Sequence, residues 1–239
     1  MPPIRKGDGT PVAPKGISQI RTGDGRILFD GVAIPDSAIY QQPWDEGEST
    51  TVADVIGDRN GSLDNPDWVS DADFEGGWKL NFDNDTVEND PIDNFANRQL
   101  LFCITIDSNS TSDQTILNHH DPDEGDVTGF GYAGGGIGTF SDDNAASNRG
   151  VSSVALTNRN RIGVWFDNPN NNIRVYINGD RSDDADDVQS SHERDRTMLW
   201  GNRPDDGAPV SGDMDNPIVY DTDDPDTDAQ TDFDVQNWS

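Results

Sequence analysis

Apolar and polar residues alternate on both sides of a short polar segment between Arg161 and Asp180. The first run reads RIGVWF, the segment DNPNNN follows it, and the second run reads IRVYI before Asn178-Gly179. Alternation of period two indicates half-buried strands, and Asn, Pro and Gly between two such runs indicate a hairpin. We predict that the alternating apolar residues of this hairpin fill a core: Ile162, Val164, Phe166, Ile173, Val175 and Ile177.

Short apolar runs of the same kind continue along most of the chain from residue 38 onwards. The run Leu100–Asp107 is almost continuously apolar, which is typical of a central strand buried on both faces. No stretch has a helical period over more than one or two turns. Many short strands separated by turn residues predict an all-β, antiparallel β-sandwich over residues 35–221. Pro217 has no backbone N–H, so we expect it at an edge or a bulge of the last strand.

The chain is strongly negative, and its charged residues are mostly Asp and Arg rather than Glu and Lys. The net charge is −30, with 40 Asp against 6 Glu and 13 Arg against 3 Lys. Short carboxylates bring little apolar stem to a surface, and molar salt screens their mutual repulsion. This composition resembles that of extreme halophiles, chiefly the haloarchaea; the alternative is an acidic partner-binding surface. We expect most carboxylates to serve solvation, including the acidic C-terminal tail 222–239, and we expect no binding to nucleic acid.

Cysteine content and apolar run length limit the class of protein further. Cys103 is the single cysteine, which excludes an internal disulfide framework, and its neighbours predict a buried side chain. No apolar run approaches about 18 residues, so we expect no membrane insertion. The first 16 residues lack the apolar centre of a secretory signal.

Residues 1–34 differ from the rest of the chain in charge. Up to Phe29 they carry five Lys or Arg against two Asp, a net charge of +3. Such an extended segment is either a flexible tail or an anchoring arm that adds a strand to a neighbour or to a second copy of the chain. In the second interpretation the anchoring residues are the apolar ones: Ile17, Ile20, Ile27, Leu28 and Phe29.

Five short motifs follow one another in an order that resembles a known family. They are Trp44-Asp45-Glu46-Gly47 with Thr50–Asp54 and Gly57; Gly76–Asp83; Gln114–Leu117; Val175–Gly179; and Gly212, Asp215 and Tyr220. Together they resemble a laminin-G-like domain of the concanavalin A-like lectin/glucanase superfamily, over about residues 38–221. The resemblance implies a jelly-roll of two antiparallel sheets, one of them concave. Members mostly bind glycans or proteins, and a minority hydrolyse glycans.

The same resemblance implies a structural calcium ion. Carried over residue by residue, its ligands fall on Asp45 and Asp215, with the backbone near Gly76-Gly77 as a further contributor. Calcium prefers several oxygen ligands, which such carboxylates and carbonyls supply. The alternative is that Asp45 caps a turn and Asp215 pairs with an arginine.

Catalytic chemistry is not expected. The hydrolases of the superfamily carry Glu-x-Asp-x-x-Glu, and the nearest match here is Glu124-Gly125-Asp126, with Gly129 in place of the third acid. Glycoside hydrolysis needs a pair of carboxylates, so loss of the proton donor predicts a protein that is not an enzyme. His119-His120 suggests a transition-metal site, but adjacent residues on an extended chain point in opposite directions. We expect an exposed acidic loop there instead.

Two functional hypotheses remain. In the first, the Gly-rich stretch 129–136 recognises a host cell-surface glycan or glycoprotein by stacking sugar rings on Phe130 and Tyr132; the alternative is that both are core residues. In the second, the arm mounts the domain on other proteins of a virus particle. Combined, they predict a homo-oligomeric spike, turret or tail fibre of a haloarchaeal virus, made in the host cytoplasm and exposed on the virion. A purely structural decoration protein and an extracellular lectin-like adhesin are the alternatives.

Overall fold

The computed structural model describes sixteen segments of the chain that together contain eighteen strands and one α-helix. The described residues are 19–21, 27–30, 35–44, 47, 49–63, 67–70, 78–83, 86–107, 113–120, 127–133, 136–141, 149–152, 159–170, 172–186, 197–201 and 210–236. The elements are β1 (Gln19–Arg21), β2 (Ile27–Asp30), β3 (Ala38–Gln41), β4 (Thr51–Val52), β5 (Gly61–Leu63), β6 (Asp67–Ser70), β7 (Trp78–Asp83), β8 (Val87–Asn89), β9 (Gln99–Asp107), β10 (Gln114–His120), β11 (Val127–Ala133), β12 (Gly136–Ser141), β13 (Arg149–Ser152), β14 (Arg159–Asp167), β15 (Asn172–Ile177), β16 (Asp180–Asp186), β17 (Thr197–Trp200), β18 (Ser211–Asp221) and α1 (Pro225–Gln236).

Two large antiparallel sheets form a sandwich. The front sheet has the order β13-β12-β11-β10-β17-β8-β5-β4, and the back sheet has the order β16-β15-β14-β9-β18-β7-β6, with β3 also paired to β18. The main core lies between them and draws residues from both sheets, for example Phe130 and Trp200 from the front and Phe102 and Val164 from the back. The predicted all-β sandwich is confirmed.

The hairpin between Arg161 and Asp180 is formed by β14 and β15. Ile162 lies opposite Ile177 and Phe166 opposite Ile173, so the apolar residues of both strands share one face. Five of the six predicted core residues are buried, and Ile177 is partly buried and packs against them. Asn178 and Gly179 both have positive φ, the geometry of the two-residue turn that leads into β16.

Strand β9 is central, as its continuous apolar run predicts. It pairs with β14 on one side and with β18 on the other. Phe102 and Ile104 enter the main core, whereas Leu101 and Cys103 enter a second apolar cluster on the outer face of the back sheet. Burial on both faces explains why polar residues are missing from the middle of this strand.

Pro217 lies at a bulge, which confirms the prediction. The register between β18 and β9 shifts between Asp215 and Ile218, and Asn216 has a φ of 50°. A bulge leaves a residue outside the hydrogen-bond ladder, so the missing N–H of proline costs little there. The carbonyl of Pro217 accepts the N–H of Gln42 at 3.1 Å, which ties the segment after β3 to the same point.

The acidic C-terminal segment is not simply a solvated tail: residues 225–236 form helix α1, which packs on the outer face of the back sheet. Pro225 at its first position, and Asp226 and Asp228 in its first turn, suit a helix N-terminus. Ala229 belongs to the second apolar cluster, and Val235 packs against it. The helix has no apolar stripe, and carboxylates make much of its contact with the sheet instead. Among the described residues, no helix is long and apolar enough to cross a membrane.

A buried ion pair joins α1 to the sheet. Nε and Nη2 of Arg161 donate to the two carboxylate oxygens of Asp232 at 2.7 and 2.9 Å, and Nη1 donates to the carbonyl of Asn216 at 2.8 Å. The hydroxyl of Tyr220 donates to Asp232 at 2.6 Å. Burial alone lowers the pKa of Arg161, but the Asp232 carboxylate raises it above its usual value. Asp232 is thus a structural residue of the sandwich.

Near the N-terminus, β1 and β2 form a separate two-stranded sheet. Ile20 lies opposite Phe29, so two of the predicted anchoring residues pair with each other and the chain doubles back between residues 19 and 30. The backbone of Ile27 and Leu28 belongs to β2, and Ile17 lies outside the described residues. The anchoring role of residues 1–34 stays a prediction.

Candidate functional site

The outer face of the front sheet carries a row of polar side chains at the end formed by β4, β5 and β8. Thr51 lies opposite Ser62, and Ser62 lies opposite Glu88. These three residues are exposed, whereas Val52 and Val87 between them turn into the main core. Because side chains alternate along each of these short strands, the hydroxyls of Thr51 and Ser62 and the carboxylate of Glu88 lie side by side.

A cleft of about 230 Å³ opens at this row. Its described lining consists of Thr51, Asn60, Gly61, Ser62, Glu88, Asn89, Asp90 and Thr197. The side chains offer three hydroxyls, two amides and two carboxylates. The cleft is smaller than the roughly 300–1,000 Å³ pockets that hold drug-sized ligands, so it suits one small polar unit.

The loop before β5 is held by the carboxylate of Asp54. Its Oδ1 accepts the backbone N–H groups of Ile56 and Gly57 at 3.1 and 2.9 Å, and its Oδ2 accepts that of Arg59 at 3.2 Å. The N–H of Asp54 donates to Oδ1 of Asn60 at 3.0 Å, which fixes this lining residue. The Asp54 and Gly57 of the family pattern thus serve structure: a Cβ on Gly57 would lie 2.6 Å from Oδ2 of Asp54.

The floor of the cleft is also tied down by hydrogen bonds. Asn89 is 2% exposed; its Nδ2 donates to the carbonyl of Arg59 at 3.2 Å, and its Oδ1 accepts from the hydroxyl of Tyr40 at 3.3 Å. Burial, and then the charge of Asp54, raise the pKa of Tyr40 well above its ordinary value of 10.0. The neutral hydroxyl therefore stays a donor, and the cleft is formed before any ligand binds.

The predicted stacking residues lie elsewhere. Phe130 is 0% and Tyr132 is 4% exposed, and the ring centroid of Phe130 lies 6.5 Å from that of Trp200 inside the main core. Neither ring is available to stack on a sugar in this structure, so both residues occupy the core positions of the alternative interpretation. Packing also explains why position 129 is a glycine, since a Cβ there would lie 1.8 Å from the carbonyl oxygen of Leu117 on β10.

Only one of the two predicted calcium ligands lies among the described residues. Asp215 is 1% exposed and lies at the bulge of β18, while Asp45 lies outside the described residues. Within the described part of the chain, no group of three or more His, Cys, Asp or Glu side chains is placed to hold a metal ion. Calcium stays a prediction, and melting with and without a chelator at fixed molar salt tests it. An unchanged melting temperature would remove the site.

The histidine pair does not lie in an exposed loop, contrary to the prediction. Both residues belong to β10, and the ring of His119 lies 4.5 Å from that of Phe95 and 5.5 Å from that of Phe102 between the sheets. His120 lies opposite Thr197, one position further along the strand. Glu124 and Asp126 lie outside the described residues.

The cleft itself was missed by the sequence reasoning. Its lining comes from strands of two to four residues, and Ser62 and Glu88 are separated by a stretch of chain that gives no sign of their pairing. Residues with hydroxyl, amide or carboxylate side chains are also abundant throughout this chain, so their presence alone does not mark a site. The available signal was the alternation of exposed and apolar residues over 51–52, 61–63 and 87–89, which is too short to stand out.

Comparison with known proteins identifies the fold. No family model matches the chain, and no curated protein is significantly similar in sequence. Trypanosoma rangeli sialidase, in complex with 2,3-difluorosialic acid, aligns with a TM-score of 0.63 at 16% identity over 87% of this chain. This chain spans 35% of the length of that sialidase. At such identity the likeness concerns the fold alone.

Two further solved structures are similar in the same way. Domain 4 of AbnA, an extracellular arabinanase from Geobacillus stearothermophilus in complex with arabinotriose, has a TM-score of 0.59 and 13% identity, covering 82% of this chain and 98% of that domain. The binding domain of Botulinum neurotoxin DC, in complex with rat synaptotagmin II, has a TM-score of 0.60 and 13% identity, covering 86% of this chain and 53% of that one. The chain therefore has a β-sandwich fold that is also found in these proteins.

Proposed function

We propose that this protein is a non-enzymatic recognition module that binds a sugar unit of a host cell-surface glycan or glycoprotein in the cleft of the front sheet. The observation that carries the proposal is the cleft itself, where hydroxyls, amides and carboxylates converge on a preformed concavity of about 230 Å³. Sugars present hydroxyls all round a ring, and such groups match them as donors and acceptors. The arabinotriose bound to the similar arabinanase domain supports this choice of ligand class.

The proposal assigns no catalysis to the domain. In support of this, Gly129 stands where the hydrolase pattern has its third acid. The likeness to sialidases is at 16% identity and extends to the fold alone. Incubation with the glycan that binds best should therefore release no product.

Replacing Ser62 by Gln tests the site. The longer side chain fills the cleft, so glycan binding in molar salt should weaken at least about tenfold, or about 1.4 kcal/mol. Ser70→Gln is the matched control, because Ser70 is an exposed strand serine of β6 in the other sheet. Equal binding by the two variants would exclude the cleft as the site.

We also propose that residues 1–34 mount the domain, as a homo-oligomer, on other proteins of a virus particle. The net charge of +3 up to Phe29, on a chain of net charge −30, supports a separate role for this segment. The domain would then be exposed on a spike, turret or tail fibre that meets the host in high salt. Deleting residues 1–34 should abolish incorporation into particles and leave a soluble domain that binds glycan. Assembly of the shortened protein would contradict the anchoring role.

A further inference from the structure

We infer that the cleft selects an uncharged sugar ring and rejects acidic sugars, an inference that rests on the proposed glycan-binding function. The charge of the lining carries it. Glu88 and Asp90 both line the cleft, and the other described lining residues are uncharged. No described lining residue is a Lys, Arg or His, so the described lining offers a ligand carboxylate no counter-charge.

The nearest arginine in sequence is engaged elsewhere. Arg59 precedes the lining residue Asn60, but its Nε donates to the carbonyl of Pro91 at 3.0 Å and its Nη2 lies 3.8 Å from the carboxylate of Asp93. The backbone carbonyl of Arg59 accepts from Asn89, which fixes the residue from the other side. Its guanidinium is thus already paired outside the set of groups that line the cleft.

Neutral and acidic rings differ in what they offer this lining. A sugar hydroxyl that donates to Glu88 or Asp90 forms a charge-assisted hydrogen bond, which is stronger than one between neutral groups. A sugar carboxylate has no proton to donate and would stand beside two like charges in a confined space.

Molar salt does not remove this discrimination. The Debye length is about 3 Å at 1 M, which is close to the contact distance between groups inside a cleft of this size. Charges in contact therefore still repel, whereas the long-range repulsion between the acidic surface and an acidic glycan is screened. Selection against acidic sugars becomes a local property of Glu88 and Asp90.

Pairs of sugars that differ in one group test the inference. Glucose, galactose and mannose are each compared with the corresponding uronic acid, in which a carboxylate replaces the terminal hydroxymethyl group, and with its uncharged methyl ester. Binding to the full-length protein is measured by calorimetry or ligand-detected NMR in molar KCl. We expect at least one neutral sugar to bind, its uronic acid to bind at least about tenfold more weakly, and the methyl ester to regain most of the affinity.

Glu88→Gln tests the residue. The amide has the same shape without the charge, so the preference for the neutral sugar over its uronic acid should fall to less than about threefold. Asp180→Asn removes one charge from an exposed residue of β16 on the back sheet and should leave the preference unchanged. An unchanged preference in Glu88→Gln would overturn the role of this carboxylate.

The outcomes separate the two levels of the proposal. A uronic acid that binds as tightly as its neutral partner overturns the inference and leaves glycan binding standing. Failure of every neutral and acidic sugar to bind overturns glycan binding in the cleft, and the inference with it.

Discussion

Asp232 shows how much one residue of an acidic chain can differ from the others. It is 1% exposed and lies against the buried guanidinium of Arg161, while most carboxylates of the chain serve solvation in our interpretation. A buried pair gains little over an apolar pair of the same size, but removing one partner leaves the other charge buried and unpaired. The position is therefore sensitive to single changes and tolerant of matched double changes.

Replacing Asp232 by Asn should lower the free energy of unfolding by about 3–5 kcal/mol, because Arg161 keeps its charge in the interior. Chemical denaturation in molar salt measures the loss. Asp234→Asn, two positions along on the exposed side of α1, should change it by less than about 0.5 kcal/mol. The double change Arg161→Met with Asp232→Leu should cost less than Asp232→Asn alone. Equal losses in the two asparagine variants would contradict the structural role of Asp232.

The buried phenol of Tyr220 predicts a loss of stability at alkaline pH. Burial, and then the charge of Asp232, raise the pKa of Tyr220 well above the ordinary 10.0. The unfolded chain therefore releases this proton first, and the stability that is present below about pH 10 falls as the pH rises further. The thiol of Cys103, whose pKa burial also raises above 9.0, acts in the same direction. Melting temperatures from pH 7 to 11 measure the effect, and Tyr220→Phe should make the decline less steep.

At the scale of elements, α1 works as a cover for the outer face of the back sheet. Trp165 Nε1 donates to the carbonyl of Thr222 at 3.0 Å, Tyr176 Oη to Asp226 at 2.6 Å and Ser37 Oγ to Asp228 at 2.6 Å. The start of the helix and the residues just before it are thus fixed by directional polar contacts. The second apolar cluster lies beneath it: Ala38, Leu101, Cys103, Trp165, Tyr176, Ile218 and Tyr220.

Deleting residues 225–239 should expose this apolar cluster. We expect the shortened protein to bind a hydrophobic dye and to self-associate on size-exclusion chromatography, since exposed apolar patches drive association. Deletion of residues 237–239 alone is the control and should change neither property. A shortened protein that remains monomeric and does not bind the dye would show that the cluster does not need α1.

The elements that the sequence predicts well are those with long apolar patterns. Strands β9, β14 and β15 have six to nine residues and a clear period, and Pro217 marks its own bulge. The sequence does not predict helix α1, because many of its contacts are made by carboxylates, which look like solvation in a chain with 40 Asp. The cleft was missed because strands of two or three residues carry too short a pattern, and because pairing of β4, β5 and β8 depends on the whole sheet.

At the scale of the whole molecule, we expect the negative charge to make stability depend on salt. With 46 acidic against 16 basic residues, repulsion exceeds the attraction of exposed pairs such as Arg98 and Asp221. We predict that the melting temperature rises steadily between 0.1 and 2 M KCl, because the Debye length falls from about 10 Å to below about 3 Å. Calorimetric melts at fixed pH measure it, and a flat or falling curve would contradict the halophilic interpretation.

The single cysteine can report on local opening of this fold. Cys103 lies on β9 in the cluster beneath α1, and it is 1% exposed. A thiol reagent reaches it only when the helix lifts or the sandwich unfolds, so the labelling rate under native conditions measures the free energy of that opening. Because the sequence contains no second thiol, the label reads one place without any engineering. The rate of labelling at Cys103 therefore measures how firmly the twelve-residue helix α1 is held against the sheet.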